Sequence, residues 1–275
     1  MTNGLTLMAV HAHPDDEVLG TGGVLARYSA EGIRTVLVTC TNGEQGDAPG
    51  GAKPGRPGHD AVAVARLRLE ELGASVAVLG VSHLELLGYQ DSGMVGWEAN
   101  QSPGAFCNVP LAEVTDRVAG LMRRYRPQVV ITYDENGGYG HPDHIQAHRA
   151  TVAAAEAVGG DPAATPAKLY YSAVPRSAFA ELRQRLADAG TDTHDLGIPP
   201  DFGVPDEVVT TVVDVSAYGA RKRQALAAHA SQAQNFLFTH LPEDALWATL
   251  SREWFTLRSA PDGLAGEDDL MAGLR

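Results

Sequence analysis

Short β-branched apolar runs alternate along this chain with longer stretches of helical period, and that alternation limits the possible folds more than any other feature. Residues 5–10 read as a first strand, 20–31 as a helix stopped at Gly32, and 33–40 as a second strand, which together make a βαβ unit. Further helices are expected over 59–72, 110–125, 141–158 and 217–230, and further strands over 76–79, 128–132 and 208–215. The expected fold class is therefore α/β, a Rossmann-like mostly parallel sheet flanked by helices. In such sheets ligands bind at the carboxyl ends of the strands. A chain of 275 residues fits a single domain, 1–275, with a polar, loose tail from Pro261. Pro49, Pro54 and Pro57 stand among Gly50, Gly51, Gly55 and Gly58, so 48–58 is a surface loop, placed after the second strand where a lid would lie.

The formal charge of −13 argues against a phosphate-neutralising surface, so nucleic acid is not an expected partner. No apolar run reaches the length of a spanning helix and the first ten residues lack a signal-peptide pattern, so no membrane partner and a cytoplasmic location are expected. The two cysteines are too few for a disulfide framework. Cys40 closes an apolar run and reads as a buried strand residue, and Cys107 as a second reduced thiol.

Chemistry concentrates at two strand ends. His13-Pro14-Asp15-Asp16-Glu17 follows the first strand, and His141-Pro142-Asp143-His144 follows the strand at 128–132. Three consecutive carboxylates at the end of an apolar strand repel one another and lose solvation unless a cation offsets both costs. Imidazole nitrogens with a carboxylate form the ligand set of catalytic zinc. Either turn alone could be only a helix start, with Asp as cap and Pro in the first turn, but two at equivalent junctions can face one site. That structural role still suits Asp143, whose carboxylate can cap a helix or orient a histidine.

These motifs resemble the zinc-dependent N-deacetylases related to the glucosaminyl-phosphatidylinositol deacetylases. The segments 133–141, Asp91-Ser92-Gly93-Met94 and Ala228-His229-Ala230-Ser231-Gln232 resemble more narrowly its mycothiol branch, which holds an N-acetylglucosaminyl-inositol deacetylase and a mycothiol S-conjugate amidase. The resemblance implies His13, Asp16 and His144 as ligands of one Zn(2+), or of Fe(2+) in its place. It implies Asp15 as general base, His141 as the group that stabilises charge or protonates the leaving amine, and Tyr139 as a helper at the oxyanion. It points to Arg66, Asp91 and Asp47 for sugar or inositol hydroxyls, although Arg66 could serve only an ion pair with Glu70, and Asp91 only a turn. The implied partner is a small-molecule amino-sugar or thiol-conjugate substrate.

His11, His59, His83, His148, His194 and His240 read as surface or core histidines, while His229 stands apart because it lies in a stretch shared with the family. Gly20, Gly22 and Gly23 follow the first His-Pro-Asp turn and lack the acid expected of a dinucleotide loop. Val109-Pro110-Leu111 and Glu135 lean toward the amidase, whereas Gly140 and 91–94 lean toward the deacetylase. Two functions in different classes follow: hydrolysis of an N-acyl amide on glucosamine, or metal-bound carbohydrate binding without turnover, which would have no use for Asp15.

Overall fold

The computed structural model describes residues 4–191, 202–236, 241–260 and 268–275. The chain runs β1 (Thr6–His11), α1 (Asp16–Gly20), α2 (Gly22–Ala30), β2 (Arg34–Thr41), α3 (Ala61–Leu79), β3 (His83–Tyr89) and α4 (Leu111–Tyr125). It continues through β4 (Val129–Thr132), a short kinked α5 (Gly137–Gly140), α6 (Pro142–Ala157), β5 (Lys168–Ala173) and α7 (Arg176–Asp188). Last come β6 (Thr211–Asp214), α8 (Gly219–Ala228), α9 (Glu243–Leu250) and β7 (Arg252–Ser259).

The strands form one sheet in the order β3-β2-β1-β4-β5-β7-β6. The first five are parallel, and β7 runs antiparallel to both β5 and β6. Because side chains alternate across a strand, Leu7 and Ala9 of β1 join the core under α2, α3 and α8, while Met8 and Val10 join the core under α4 and α6. Burial on both faces explains why β1 reads as a continuous apolar run instead of an alternating one. Chain order reverses between β1 and β4, so their carboxyl ends open the crevice in which both His-Pro-Asp turns meet.

Where the chain departs from expectation, local signals were overridden. Residues 76–79 are not a strand but the last turn of α3, which Gly80 ends at φ 75° by donating to the carbonyls of Val76 and Ala77. A four-residue apolar run cannot be told from a helix end by period alone. The strand lies instead at His83–Tyr89, a half-exposed sheet edge whose mixed composition hides it. The strand expected over 208–215 shrinks to Thr211–Asp214. β5, β7, α7 and α9 had no clear periodic signal.

The loose tail expected from Pro261 is corrected for its described part. Leu270 and Met271 are fully buried in the core beside α2. The Tyr28 hydroxyl donates to Asp269 (2.7 Å) and accepts from the Leu270 N–H (2.8 Å), and Lys168 Nζ donates to the Ala272 carbonyl. His194 and His240 lie outside the described residues. No helix among the described residues is long and apolar enough to cross a membrane.

Candidate metal centre and active site

β1 delivers His13 and Asp16, and the junction of β4 and α6 delivers His144. Three donor atoms converge there: His13 Nδ1 lies 3.3 Å from Asp16 Oδ2 and 3.2 Å from His144 Nε2, and the last two are 3.4 Å apart. A tetrahedral ion with bonds of about 2.0–2.1 Å requires ligand atoms about 3.3–3.4 Å apart, so the triangle has the dimensions of one face of a zinc-type site. The rear of each ring agrees. His144 Nδ1–H donates to the Gly137 carbonyl (3.1 Å), which turns the Nε2 lone pair into the triangle. His13 Nε2–H faces Asp143 Oδ2 at 3.2 Å and Asp91 Oδ1 at 3.4 Å, which leaves the Nδ1 lone pair free to ligate.

Asp16 is held on the same terms. Its Oδ2 accepts the His13 N–H (2.8 Å) and the Tyr133 hydroxyl (2.6 Å). That hydroxyl in turn accepts the Ala12 N–H (2.7 Å), so its own proton points at Asp16. Burial and the neighbouring carboxylate push the Tyr133 phenol well up, keeping it a donor. The Tyr133 ring also stacks on His144, centroids 4.1 Å apart. Donor atoms of His13, His141 and His144 also cluster within 4.8 Å, as do those of His13, Asp91 and Asp143. All three edges of the triangle with Asp16 are 3.2–3.4 Å, and the contacts behind both rings leave His13 Nδ1 and His144 Nε2 facing into it.

Asp15 is built differently from its neighbour. It adopts φ 113°, ψ −25°, a left-handed conformation rare outside glycine. The side chain is 15% exposed and its Oδ2 accepts from Arg68 Nη2 at 3.0 Å. Burial raises the Asp15 carboxyl to about 6, against the opposing pull of Arg68, which places it near the range useful to a general base. His141 caps α6, its Nδ1 accepting the Asp143 N–H at 3.2 Å, so the ring is a neutral Nε2–H tautomer. Burial, then the neighbouring rings of His13 and His144, lower its pKa to about 2. Tyr139 is half exposed, its ring centroid 5.1 Å from that of His144 and 6.0 Å from that of His141.

The substrate-binding expectations fare unevenly. Arg66 lies on the exposed face of α3 and takes no part in the site. Arg68 does: two positions further on a helix is about 200° around, so it enters the buried stripe Val64, Arg68, Leu72, Ser75 and Leu79. It is nearly fully buried and donates to the Gly43 and Pro14 carbonyls as well as to Asp15. Asp91 is also buried, its oxygens facing His13, the Gly93 N–H and the Gln45 N–H, so it supports a histidine more than it presents itself to a sugar. Asp47 lines the cavity and is joined by Lys53 Nζ (2.6 Å) and Gln234 Nε2 (2.9 Å). Lys53 belongs to the expected loop, which does border the cavity with Pro54, Gly55 and Arg56. The cavity measures about 1750 Å³, larger than a single sugar needs.

Several histidines expected to be structural are so: His11 meets Thr21 Oγ1 (2.8 Å), His59 the Gly46 carbonyl (2.9 Å) and His148 the Tyr133 carbonyl (2.9 Å). Burial pushes the Cys40 thiol well up, consistent with an inert core residue. Arg68 was missed as a contributor, while Glu17, Tyr133 and His229 lie in stretches the sequence singled out without giving them these contacts. For Arg68 a signal existed, since a charged residue on the apolar stripe of a helix needs a buried partner.

Residues 8–155, just over half of the chain, match the family described as PIG-L: GlcNAc-PI de-N-acetylase. The chain belongs to the PIG-L family. It is 43% identical to the 1D-myo-inositol 2-acetamido-2-deoxy-alpha-D-glucopyranoside deacetylase of Acidothermus cellulolyticus, over 98% of this chain and 95% of that one. The protein of the same name from Geodermatophilus obscurus is 41% identical over 100% and 99% of the two chains. Among solved structures, the 4-carboxy-2-hydroxymuconate hydratase GalB of Pseudomonas putida KT2440 is similar with a TM-score of 0.59 at 17% identity, over 95% of this chain and 100% of that one. A hydratase on the same framework means that membership of the PIG-L fold names no reaction, and the site must carry that argument.

Proposed function

We propose that this chain is a metal-dependent N-deacetylase that hydrolyses the acetamide of a glucosaminyl-inositol substrate. The observation that carries the reading is the donor triangle of His13, Asp16 and His144 standing beside Asp15, a carboxyl poised near neutrality. The full-length relatives named for that reaction support the choice of substrate.

His13, Asp16 and His144 would hold one Zn(2+), with Fe(2+) an alternative for this ligand set. Bound there, the ion supplies Lewis acidity toward the amide carbonyl and acidifies water in the open position. Asp15 takes the proton of the attacking water, and Arg68 fixes the direction of that carboxylate. Neutral His141 offers Nε2–H, and Tyr139 its hydroxyl, to the oxygen that gains charge as the amide carbon becomes tetrahedral. As the C–N bond breaks, the proton that Asp15 took passes to the departing amine, acetate is the second product, and Asp15 is again a carboxylate. Asp47, which lines the cavity, would bind a sugar or inositol hydroxyl.

The mycothiol S-conjugate amidase reading uses the same bond and machinery, and the roomy cavity accommodates its larger acyl group. Incubation of the purified enzyme with N-acetylglucosaminyl-inositol and with a mycothiol S-conjugate, followed by assay of new primary amine, separates the two. Faster amine release from the acetylated substrate is expected. His144→Ala should lose both metal and turnover, while Asp15→Asn should keep the metal and lose about 10²- to 10⁴-fold in kcat. No amine from either substrate, or stoichiometric metal in His144→Ala, would overturn the reading. The non-catalytic carbohydrate-binding alternative predicts the first of those results.

A further inference from the structure

The geometry points to His229 and Glu17 as positioning residues that hold the backbone of Asp15, an inference that rests on Asp15 being the general base. Glu17 is fully buried, and its two oxygens divide their work. Oε2 accepts the backbone N–H of Asp15 at 2.9 Å. Oε1 accepts from Ser75 Oγ of α3 (2.5 Å) and from His229 Nε2, which follows the last residue of α8, at 2.7 Å. His229 is also fully buried. A residue from the far end of the chain therefore reaches the catalytic turn through one carboxylate.

The need for such a brace is visible in Asp15 itself. Its φ of 113° is one that an aspartate keeps only where the surroundings over-determine it; the Glu17 oxygen holds its N–H, alongside the Val18 N–H on its carbonyl (3.1 Å) and Arg68 on its carboxylate and on the Pro14 carbonyl. If the Glu17 oxygen swings away, a part-buried N–H loses its partner and the backbone is free to relax toward the right-handed region, carrying the carboxylate off the Arg68 contact. Displacing a proton acceptor by about 1 Å is enough to cost two orders of magnitude in rate. The rest of the 228–232 segment has the same character. The Ser231 N–H and hydroxyl meet Glu71 at 2.8 and 2.7 Å, and Gln232 accepts the Asp47 N–H (3.1 Å) and donates to the Asp47 carbonyl (3.0 Å). This short stretch ties three acidic residues of the N-terminal half in place, one of which holds the base.

The test compares His229→Leu, which removes the donor, with His229→Gln, whose terminal amide can reproduce the donor at the Nε2 position. In the metal-loaded enzyme, His229→Leu should lower kcat on N-acetylglucosaminyl-inositol by about 10- to 100-fold, within the share a general base supplies. KM should stay within about threefold and metal content at the wild-type level, and His229→Gln should recover most of the rate. In an Asp15→Asn background, His229→Leu should add less than about twofold, because residues that act as a unit do not sum. Amide hydrogen exchange supplies a readout independent of turnover: protection of the Asp15 N–H should fall at least about 10-fold in His229→Leu and return in His229→Gln. Should the leucine variant not fold, His229→Asn, whose amide stops short of Glu17, takes its place. Equal rate losses in the two backgrounds, lost metal, or unchanged Asp15 protection would overturn the inference. Near-normal turnover by Asp15→Asn would instead overturn the general-base reading, with the exchange result still deciding whether His229 braces the turn.

Discussion

Removing the carboxylate behind His13 by Asp143→Ala should weaken metal binding without abolishing it. His13 has one Nε2 proton and two buried acceptors for it, Asp143 at 3.2 Å and Asp91 at 3.4 Å, so loss of one leaves the other to keep the ring in its ligating tautomer. Loss of a partner of this kind typically costs 10- to 100-fold in metal affinity. Redundancy puts Asp143→Ala at the lower end, about 10-fold, and the double change with Asp91→Ala at about 100-fold or more. Stability of the metal-free protein should also fall, because Asp143 Oδ2 accepts the buried Ser92 N–H at 2.8 Å, and an orphaned donor costs about 1–3 kcal/mol. Asp143 Oδ1 is buried without a hydrogen-bond partner among the described residues, so removing the carboxylate also relieves a desolvation cost, and about 1 kcal/mol is the expected net loss. Competition against a chromophoric chelator and urea unfolding of the metal-free protein measure the two quantities separately. Affinity within twofold of wild type would refute the orienting role, and complete loss of binding would mean that Asp143 is itself a ligand.

Arg66→Ala should leave kcat/KM within about twofold, whereas Arg68→Met removes the cation that lowers the Asp15 pKa and should move the acidic limb of the turnover profile to higher pH; an unmoved limb in Arg68→Met would refute the pairing. At Gly137, φ is 62° and an added Cβ would stand 2.7 Å from His144 Cβ, so Gly137→Ala should cost more than about 1 kcal/mol and displace the carbonyl that holds His144, which equilibrium unfolding and metal titration would reveal. Burial alone would lower the His229 pKa, but Glu17 overrides it and raises it. The pair's contribution to stability is then full below the unfolded histidine pKa and lost as pH rises through the folded one, so urea unfolding should find His229→Leu more damaging at pH 5.5 than at pH 9.

The sequence by itself determined three of the five parallel strands, β1, β2 and β4, and the two turns that carry the metal candidates. β1, β2 and β4 are buried on both faces, so their apolar runs are continuous and unmistakable, and a His-Pro-Asp turn at the end of such a strand must face the crevice. It also separated the expected roles of Asp15 and Asp16 by resemblance alone, since adjacent aspartates are chemically identical. Only the tertiary structure shows how they differ: a left-handed backbone and Arg68 for one, Tyr133 and the two imidazoles for the other. Of the antiparallel edge only β6 was legible, within the run at 208–215; β7, between β5 and β6, escaped the sequence because its side chains are partly exposed and its pairing is set by neighbours far along the chain. The same reason explains Arg66 and Arg68. Two arginines in one helix look equivalent along a line, and the one that matters is the one the helix's rotation points at a buried carboxylate. The buried contact from His229 to Glu17 spans 212 positions, a relation that no local period encodes and only the packing of α8 against α1 and α3 creates.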